Sequence, residues 1–334
     1  MIRFKNITAM LLSGVLVLSL ASCSIGEPDV TNKVVNPSVS VGLSEEARKP
    51  TSRLIENAVV NYDDYKLSES DDLKTMEKKI ETKYGVDIVF GDEVRTEFGD
   101  ESEQIVAEKY TNEANIKTAL MTLDNILNVY PKTFFYQLRL TEDSPVKIYM
   151  TGHIKSLTYP DANINACTSD TDSKGEFYLL IDIAGIDGTF NPIDIMHEIV
   201  HLTDFKLKSK GFLKSEEWAK LNPEGFTYTE RSDRKSEDKY NFGQAEYCPL
   251  KEGTQPSDVY FIAPYSQANE YEDRATLLTN AMVHALYGYE VEPNVYKCPH
   301  LQEKMEFWIA QVKKCFDTAY WDKSPWEDSY SKLK

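Results

Sequence analysis

The order of helical and strand-like patterns along the chain predicts an α+β fold. Residues with helical spacing dominate the first part of the folded region, a few short strand-like runs follow, and helical spacing then prevails to the C terminus. Aromatic residues make up 11% of the chain, which argues against disorder. We therefore expect one large domain or two closely packed lobes with a substantial core.

The first 23 residues have the pattern of a targeting segment. A positively charged start precedes an apolar run, residues 10–20, that is too short to span a membrane comfortably. The run ends in Leu20-Ala21-Ser22-Cys23, which resembles a lipobox. This resemblance implies removal of residues 1–22 and a lipid on Cys23 that anchors the protein without spanning the membrane. The alternatives are an ordinary signal peptide with a chance cysteine, or an uncleaved anchor helix.

Composition bounds the rest of the organisation. Residues 23–52 are polar and proline-containing without a sustained period, so we expect a flexible tether, followed by a folded domain over residues 53–334. The formal net charge of −17 argues against nucleic-acid binding, which needs a basic footprint. We expect a monomer in the bacterial cell envelope, lipid-anchored at the periplasmic face of the outer membrane or at the cell surface.

The elements of the N-terminal half follow from periodicity and breakers. Residues 71–84 have helical spacing, and Gly85 is a typical stop. A second helix, residues 115–130, carries a broad apolar stripe and is closed by Pro131. Runs of β-forming residues predict strands at 86–90, 146–150, 176–183 and, as a short strand, 260–262.

A helix with a clear start signal follows the strand at 176–183. Gly188 begins a breaker sequence, Asn191 is a good N-cap, and Pro192 suits the first helical position, so a helix is predicted over residues 192–207. Residues 208–258 are polar and rich in turn formers. Further helices are predicted at 269–286, ending at Gly288, and at 301–320.

The helix at 192–207 carries the sequence His197-Glu198-Ile199-Val200-His201. His197 and His201 are four residues apart, so they project from one helix face and can hold one Zn²⁺. Glu198 lies beside the metal, where it can act as general base and acid. The alternative is a core helix with two incidental histidines, although burying these side chains without partners would be costly.

This motif on a helix that follows a strand resembles the zincin metallopeptidases. The resemblance implies a zincin-like fold: an upper lobe to about residue 207, with a small mixed sheet and the active-site helix, and a mainly helical lower lobe over 208–334. It also implies that the strand at 176–183 lines the cleft with an open edge, to which an extended polypeptide substrate adds.

The third ligand implied by the resemblance is a downstream glutamate, the gluzincin arrangement. No third histidine follows His201 at the spacing of the metzincins. The stretch Glu272-Asp273-Arg274-Ala275-Thr276 resembles the E-D-x-A-E sequence of gluzincin-type zinc-binding lipoprotein peptidases, in which the first glutamate is the ligand. Thr276 departs from that pattern, where a second acid is usual.

Alternatives to this ligand stay open at the sequence level. Glu270 and Asp273 are rival acids for the metal. Asn269 could instead be an N-cap with Glu272 as the returning acid of a capping box. Asp204, on the histidine face, could accept a ring N–H from a ligand histidine or be a surface acid.

Further candidate residues are less specific. Tyr265 and Tyr271 flank the second motif and could donate to a developing oxyanion. Cys167, Cys248, Cys298 and Cys315 could form two disulfides or be small buried hydrophobic residues. The histidines without ligand spacing are His153, His284 and His300.

The function expected from these residues is zinc-dependent hydrolysis of peptide bonds by a lipid-anchored metallopeptidase. One Zn²⁺ would be held by His197, His201 and Glu272, with Glu198 as general base. The alternative is a catalytically silent zincin-like lipoprotein that serves as a peptide- or protein-binding component of a surface complex.

Overall fold

The structure, a computed structural model, describes residues 62–99, 104–141, 144–160, 164–169, 176–185, 191–228, 246–248, 253–287 and 297–333. The predicted signal peptide, Cys23 and the tether lie outside the described residues, as do the predicted breakers Gly188 and Gly288. The helices are α1 (Leu73–Tyr84), α2 (Glu113–Leu127), α3 (Phe134–Leu138), α4 (Pro192–Ser209), α5 (Ser215–Ala219), α6 (Glu270–Tyr287), α7 (Pro299–Cys315) and α8 (Pro325–Leu333). The strands are β1 (Asp87–Phe90), β2 (Glu97–Gly99), β3 (Gln104–Ala107), β4 (Lys147–Thr151), β5 (Ile154–Ser156), β6 (Ala166–Ser169) and β7 (Tyr178–Asp182).

Two small sheets organise the strands. The main sheet has the order β1-β4-β7-β6, in which β1, β4 and β7 are parallel and β6 is antiparallel to β7. The second sheet, β2-β3-β5, is antiparallel. Helices and small sheets occur together in the α+β arrangement that the sequence predicts.

The main sheet separates two cores. On β4, Ile148 and Met150 point into the large core shared with the helices, whereas Tyr149 points into a smaller core shared with the second sheet. On β7, Leu179 and Leu180 divide between the two cores in the same way. Because side chains alternate along a strand, each buried strand contributes to both cores. The helices therefore cover one face of the main sheet, and the second sheet covers the other.

The strand at 176–183 forms as β7, but its predicted open edge is wrong. Residues 166–169 pair with β7 as β6, and β6 becomes the last strand of the main sheet among the described residues. The sequence Ala-Cys-Thr-Ser is short and contains few strong β-forming residues, so its pattern did not predict a strand. The edge that faces away from β7 belongs to β6.

Two further predictions of elements are wrong. Residues 260–262 form no strand, since the N–H groups of Tyr260 and Phe261 both donate to the carbonyl of Tyr247 instead of to a ladder. The helix predicted at 301–320 ends at Cys315, where Phe316 adopts an extended conformation and stacks on Phe134 with ring centroids 5.4 Å apart. The chain then forms α8, which the sequence did not predict.

Cys167, Cys248, Cys298 and Cys315 are buried, and no disulfide joins any two of these described residues. The structure thus favours the alternative in which they act as small buried hydrophobic residues. Among the described residues, no helix is both long enough and apolar enough to cross a membrane. The division into an upper and a lower lobe at residue 207 stays a prediction.

Gly85 ends α1 as predicted, and a substitution at this position would test how closely its neighbours pack against it. It has a φ of 71°, and a Cβ built on it would lie 2.7 Å from Cδ1 of Tyr136 and 2.9 Å from Nη2 of Arg139. Gly91 has a φ of 65° but nothing within 4 Å of a built Cβ, so Gly91→Ala is a matched control. Both variants carry the left-handed strain, but Gly85→Ala must also displace its neighbours.

We expect Gly91→Ala to lower the free energy of unfolding by about 1–2 kcal/mol and Gly85→Ala by about 2–4 kcal/mol, measured by urea unfolding. Equal losses for the two variants would show that Tyr136 and Arg139 impose no steric constraint on Gly85.

Candidate metal centre

The helix α4 begins where its sequence predicts. The side chain of Asn191 accepts a hydrogen bond of 3.1 Å from the backbone N–H of Ile193, and Pro192 occupies the first turn. The helix continues to Ser209, slightly beyond the predicted end. Every residue from Asp194 to Asp204 is buried, so this helix is enclosed nearly all round.

Three side chains from α4 and α6 converge in the interior. Nε2 of His197 lies 3.0 Å from Oε2 of Glu272 and 3.1 Å from Nε2 of His201, and the distance from His201 Nε2 to Glu272 Oε2 is 3.6 Å. Each of the three side chains is only 1% exposed. We call them the metal group. Within the described part of the chain, no other set of three His, Cys, Asp or Glu side chains converges in this way.

The metal group fits a metal ion in both donor type and spacing. Two imidazole nitrogens and one carboxylate oxygen are a common ligand set for Zn²⁺. With metal–ligand bonds of about 2.0–2.1 Å in a tetrahedron, neighbouring ligand atoms lie about 3.3 Å apart, close to the three distances given above. The three residues could therefore hold a metal ion.

The electrostatics of the metal group favour the forms that bind metal. Burial alone would raise the pKa of the Glu272 carboxyl, but the neighbouring His201 and His197 hold that pKa well below its usual value. Burial lowers the pKa of His197, against the opposing effect of Glu272. Glu272 is therefore ionised and His197 neutral near pH 7, as metal ligation requires.

The rival acids for the metal are held elsewhere. Asp273 is fully buried and accepts hydrogen bonds from Trp218, Tyr228 and Lys304 at 3.0, 2.8 and 2.7 Å. Glu270 accepts from the hydroxyl of Ser215 at 2.7 Å. Of the three acids at the start of α6, Glu272 is the one that joins the histidines.

The structure also shows which residue caps the N terminus of α6. The side chain of Asn269 accepts hydrogen bonds from the backbone N–H groups of Tyr271 and Glu272, at 3.0 and 2.9 Å. Asn269 thus caps the helix as the alternative reading supposes, while the carboxylate of Glu272 contacts His197. Capping by Asn269 and metal ligation by Glu272 are compatible.

Glu198 and Thr276 lie next to the metal group along their helices. Glu198, one residue after His197, is 1% exposed. Thr276, one turn after Glu272, is also buried, and its hydroxyl has no hydrogen-bond partner among the described residues. The side chain at this position is thus a short polar group and not an acid.

Asp204, which the sequence leaves as either a partner of a ligand histidine or a surface acid, contacts side chains of α6 and α7. Its oxygens accept hydrogen bonds from the guanidinium of Arg274 and, at 2.7 Å, from the indole N–H of Trp308. Nδ1 of His201 has no partner among the described residues, so this histidine does not donate to Asp204. Asp204 is not a surface acid either, because it is fully buried.

The two candidate tyrosines lie in different surroundings. The hydroxyl of Tyr271 accepts a hydrogen bond from Lys208, seven residues beyond His201 on α4. Tyr265 lies in a 3₁₀ turn (Pro264–Gln267) before α6 and is half-buried. Tyr265 stays a candidate donor, and Tyr271 is disfavoured by its contact with Lys208.

The remaining histidines lie outside the metal group. His153 pairs with Asp182 at 3.0 Å on the surface, and His300 stacks on Tyr260 with ring centroids 3.7 Å apart. His284 lies near the end of α6 and is half-buried. These positions agree with the lack of ligand spacing in the sequence.

Sequence reasoning missed one buried acid on the face of α4 that carries the histidines. Asp194 lies one turn before His197 and accepts hydrogen bonds from the side-chain amides of Asn165 at 2.9 Å and Asn191 at 3.2 Å. Burial raises the pKa of Asp194 to about 6. The spacing of Asn191 and Asp194 is that of a capping box, and this signal could have identified the acid.

Comparison with known proteins adds no further constraint. No protein-family model, no curated protein and no solved structure matches the chain.

The assignment of Glu272 can be tested through metal retention. Glu272→Ala removes one of three ligands, so we expect its affinity for Zn²⁺ to fall by at least about tenfold relative to the wild type. Glu270→Ala removes a neighbouring acid that faces Ser215, and it should keep one Zn²⁺ per chain. The measurement is metal content after dialysis against a chelator. Metal loss from Glu270→Ala but not from Glu272→Ala would overturn the assignment.

Asp194 makes a separate prediction about pH. Because its pKa is raised in the folded protein, its contribution to stability is fully present below about pH 4 and is lost as the pH rises through about 6. Asp194→Asn has no such loss. Between pH 4 and pH 7, the free energy of unfolding of the wild type should therefore fall relative to the variant by roughly 3 kcal/mol. Parallel curves from urea unfolding would contradict the shift.

Proposed function

We propose that this protein is a zinc-dependent metallopeptidase of the gluzincin type. The observation that carries the proposal is the convergence of His197, His201 and Glu272 in one buried group, with Glu198 beside it on the same helix. A purely structural metal site has no use for an acid at the position of Glu198. His197 and Glu272 lie on different helices and are 75 residues apart in the sequence, so their meeting is not a consequence of local spacing alone.

In the proposed reaction, the metal ion and the protein side chains would have different roles. A bound Zn²⁺ would lower the pKa of water and polarise the scissile carbonyl. His197, His201 and Glu272 would hold it in place. The carboxylate of Glu198 would take a proton from the attacking water and deliver it to the nitrogen of the leaving amine. The burial of these residues excludes bulk water and so strengthens the electrostatic interactions among them.

The substrate we propose is an extended polypeptide. The strand β6 is the last strand of the main sheet among the described residues, and it contacts α4. All four residues of β6 are buried, so a polypeptide would have to displace the groups that cover its outer edge before it could pair there through main-chain hydrogen bonds. A peptide bound along β6 would therefore run beside the helix that carries Glu198.

The envelope location remains part of the proposal. The lipobox-like sequence that ends at Cys23 supports a lipid anchor on the bacterial cell envelope, and the tether would separate the domain from the membrane. With a net charge of −17, the protein is suited to polypeptide rather than nucleic-acid partners.

A second function is favoured by Thr276. The resembled family has an acid there, and its replacement leaves room for a catalytically silent zincin-like lipoprotein that binds peptides or proteins in a surface complex. The two functions differ in the role of Glu198, which a binding protein does not require.

The experiment compares the full chain with its Glu198→Gln variant on a diverse peptide library, in detergent and with Zn²⁺ bound. We expect the variant to keep its metal but to cleave about 10²–10⁴ times more slowly, because the general base is lost. Glu303→Gln makes the same chemical change on the exposed face of α7 and should cleave like the wild type.

Equal cleavage by Glu198→Gln and the wild type would contradict the mechanism. No cleavage by any of the three zinc-loaded proteins would instead favour the binding function.

A further inference from the structure

A second set of buried polar side chains lies next to the metal group along α4 and α6. Asp273 and Arg274 follow Glu272 on α6, and Asp204 follows His201 by three residues on α4. All three are at most 1% exposed. Each ligand-bearing helix thus carries a buried acid next to its own ligand.

The helix α7 binds both of these acids from one face. Nζ of Lys304 donates to Asp273 at 2.7 Å, and Nε1 of Trp308 donates to Asp204 at 2.7 Å. Lys304 and Trp308 are four residues apart, so they lie one turn apart on the same side of α7. Arg274 closes the arrangement by donating to Asp204 directly. Three helices are thereby joined through side chains that have no contact with solvent.

Stability alone gives a weak reason for such an arrangement. A buried ion pair such as Lys304–Asp273 loses much hydration energy, and well-packed apolar side chains in its place are often as stable. What directed polar contacts add is a defined register between elements, because hydrogen bonds require particular distances and angles where apolar packing tolerates small shifts. A metal centre needs this register, since its ligands must meet within a few tenths of an ångström.

We propose that Lys304 and Trp308 are positioning residues that set the separation between the histidine pair on α4 and Glu272 on α6. Lys304 fixes α6 through Asp273, and Trp308 fixes α4 through Asp204. This inference rests on the metal binding in the proposed function and is independent of hydrolysis.

The test uses the affinity of the full chain for Zn²⁺, measured by competition with a chromophoric chelator, and the visible absorption of bound Co²⁺, which reports ligand geometry. Trp308→Phe removes the indole N–H that reaches Asp204. Trp326→Phe is a matched control: Trp326 is also 1% exposed or less, packs against Trp308 with ring centroids 5.1 Å apart, and its indole N–H has no hydrogen-bond partner among the described residues.

We expect Trp308→Phe to weaken Zn²⁺ binding by about tenfold and to alter the Co²⁺ spectrum, while Trp326→Phe stays within about threefold of the wild type. The proposal would be overturned if both variants lost Zn²⁺ affinity equally, because the loss would then follow from the smaller side chain alone. It would also be overturned if neither variant lost affinity.

A second variant tests the other contact without leaving an unpaired buried charge. Lys304→Met combined with Asp273→Asn removes both charges of the pair, and the asparagine can still accept from Trp218 and Tyr228. Weaker Zn²⁺ binding in a folded protein supports the positioning role of Lys304, and unchanged affinity overturns it. A wild-type protein that binds no Zn²⁺ would contradict the proposed function itself, and with it this inference.

Discussion

Water is excluded from the place where α4 and α6 meet, yet ionisable side chains meet there. A carboxylate in such surroundings is strongly destabilised unless positive or hydrogen-bonding groups compensate for its lost hydration. Glu272 is compensated by His197 and His201, as the depressed pKa of its carboxyl indicates. The packing of the two helices is therefore constrained by electrostatics as well as by shape. A displacement of either helix would separate the Glu272 carboxylate from the histidines that compensate for its lost hydration.

The main sheet provides the rigid support for this contact. The apolar side chains of α4, among them Ile195, Met196 and Ile199, pack into the large core formed against one face of the sheet. The second sheet covers the opposite face, so both sides of β4 and β7 are dry. The strand β6, which contacts α4, is itself buried along its whole length.

Local patterns predicted those parts of the fold that depend on local chemistry. Asn191 and Gly85 mark helix ends through hydrogen bonds and φ values that involve only neighbouring residues, and the pair His197 and His201 follows from helical geometry. Long-range pairing was not predictable in the same way. The residues of β6 have little intrinsic preference for the β conformation, and they form a strand because β7 lies beside them. The helix α7 ends where Phe316 stacks on Phe134.

The residues of the candidate site show the same difference between local patterns, which were predictable, and long-range contacts, which were not. The assignment of Glu272 needed a family resemblance, because the carboxylates of Glu270 and Asp273 could equally be metal ligands as judged from the sequence. Only their partners far along the chain distinguish them from Glu272. The partners of Asp204 were missed for this reason. Trp308 lies 104 residues away and Arg274 lies 70 away, and no local spacing relates them.

The separation of the ligands along the chain also affects the unfolded protein. Residues 202–271 connect the histidine pair to Glu272 in the sequence, so a metal ion that joins the three side chains closes a loop of this length. Closing a loop reduces the conformational entropy of the open chain, and the ion would act as a removable cross-link with the thermodynamic effect of a covalent staple. The segment between α4 and α6 would then be held at both ends by the same atom.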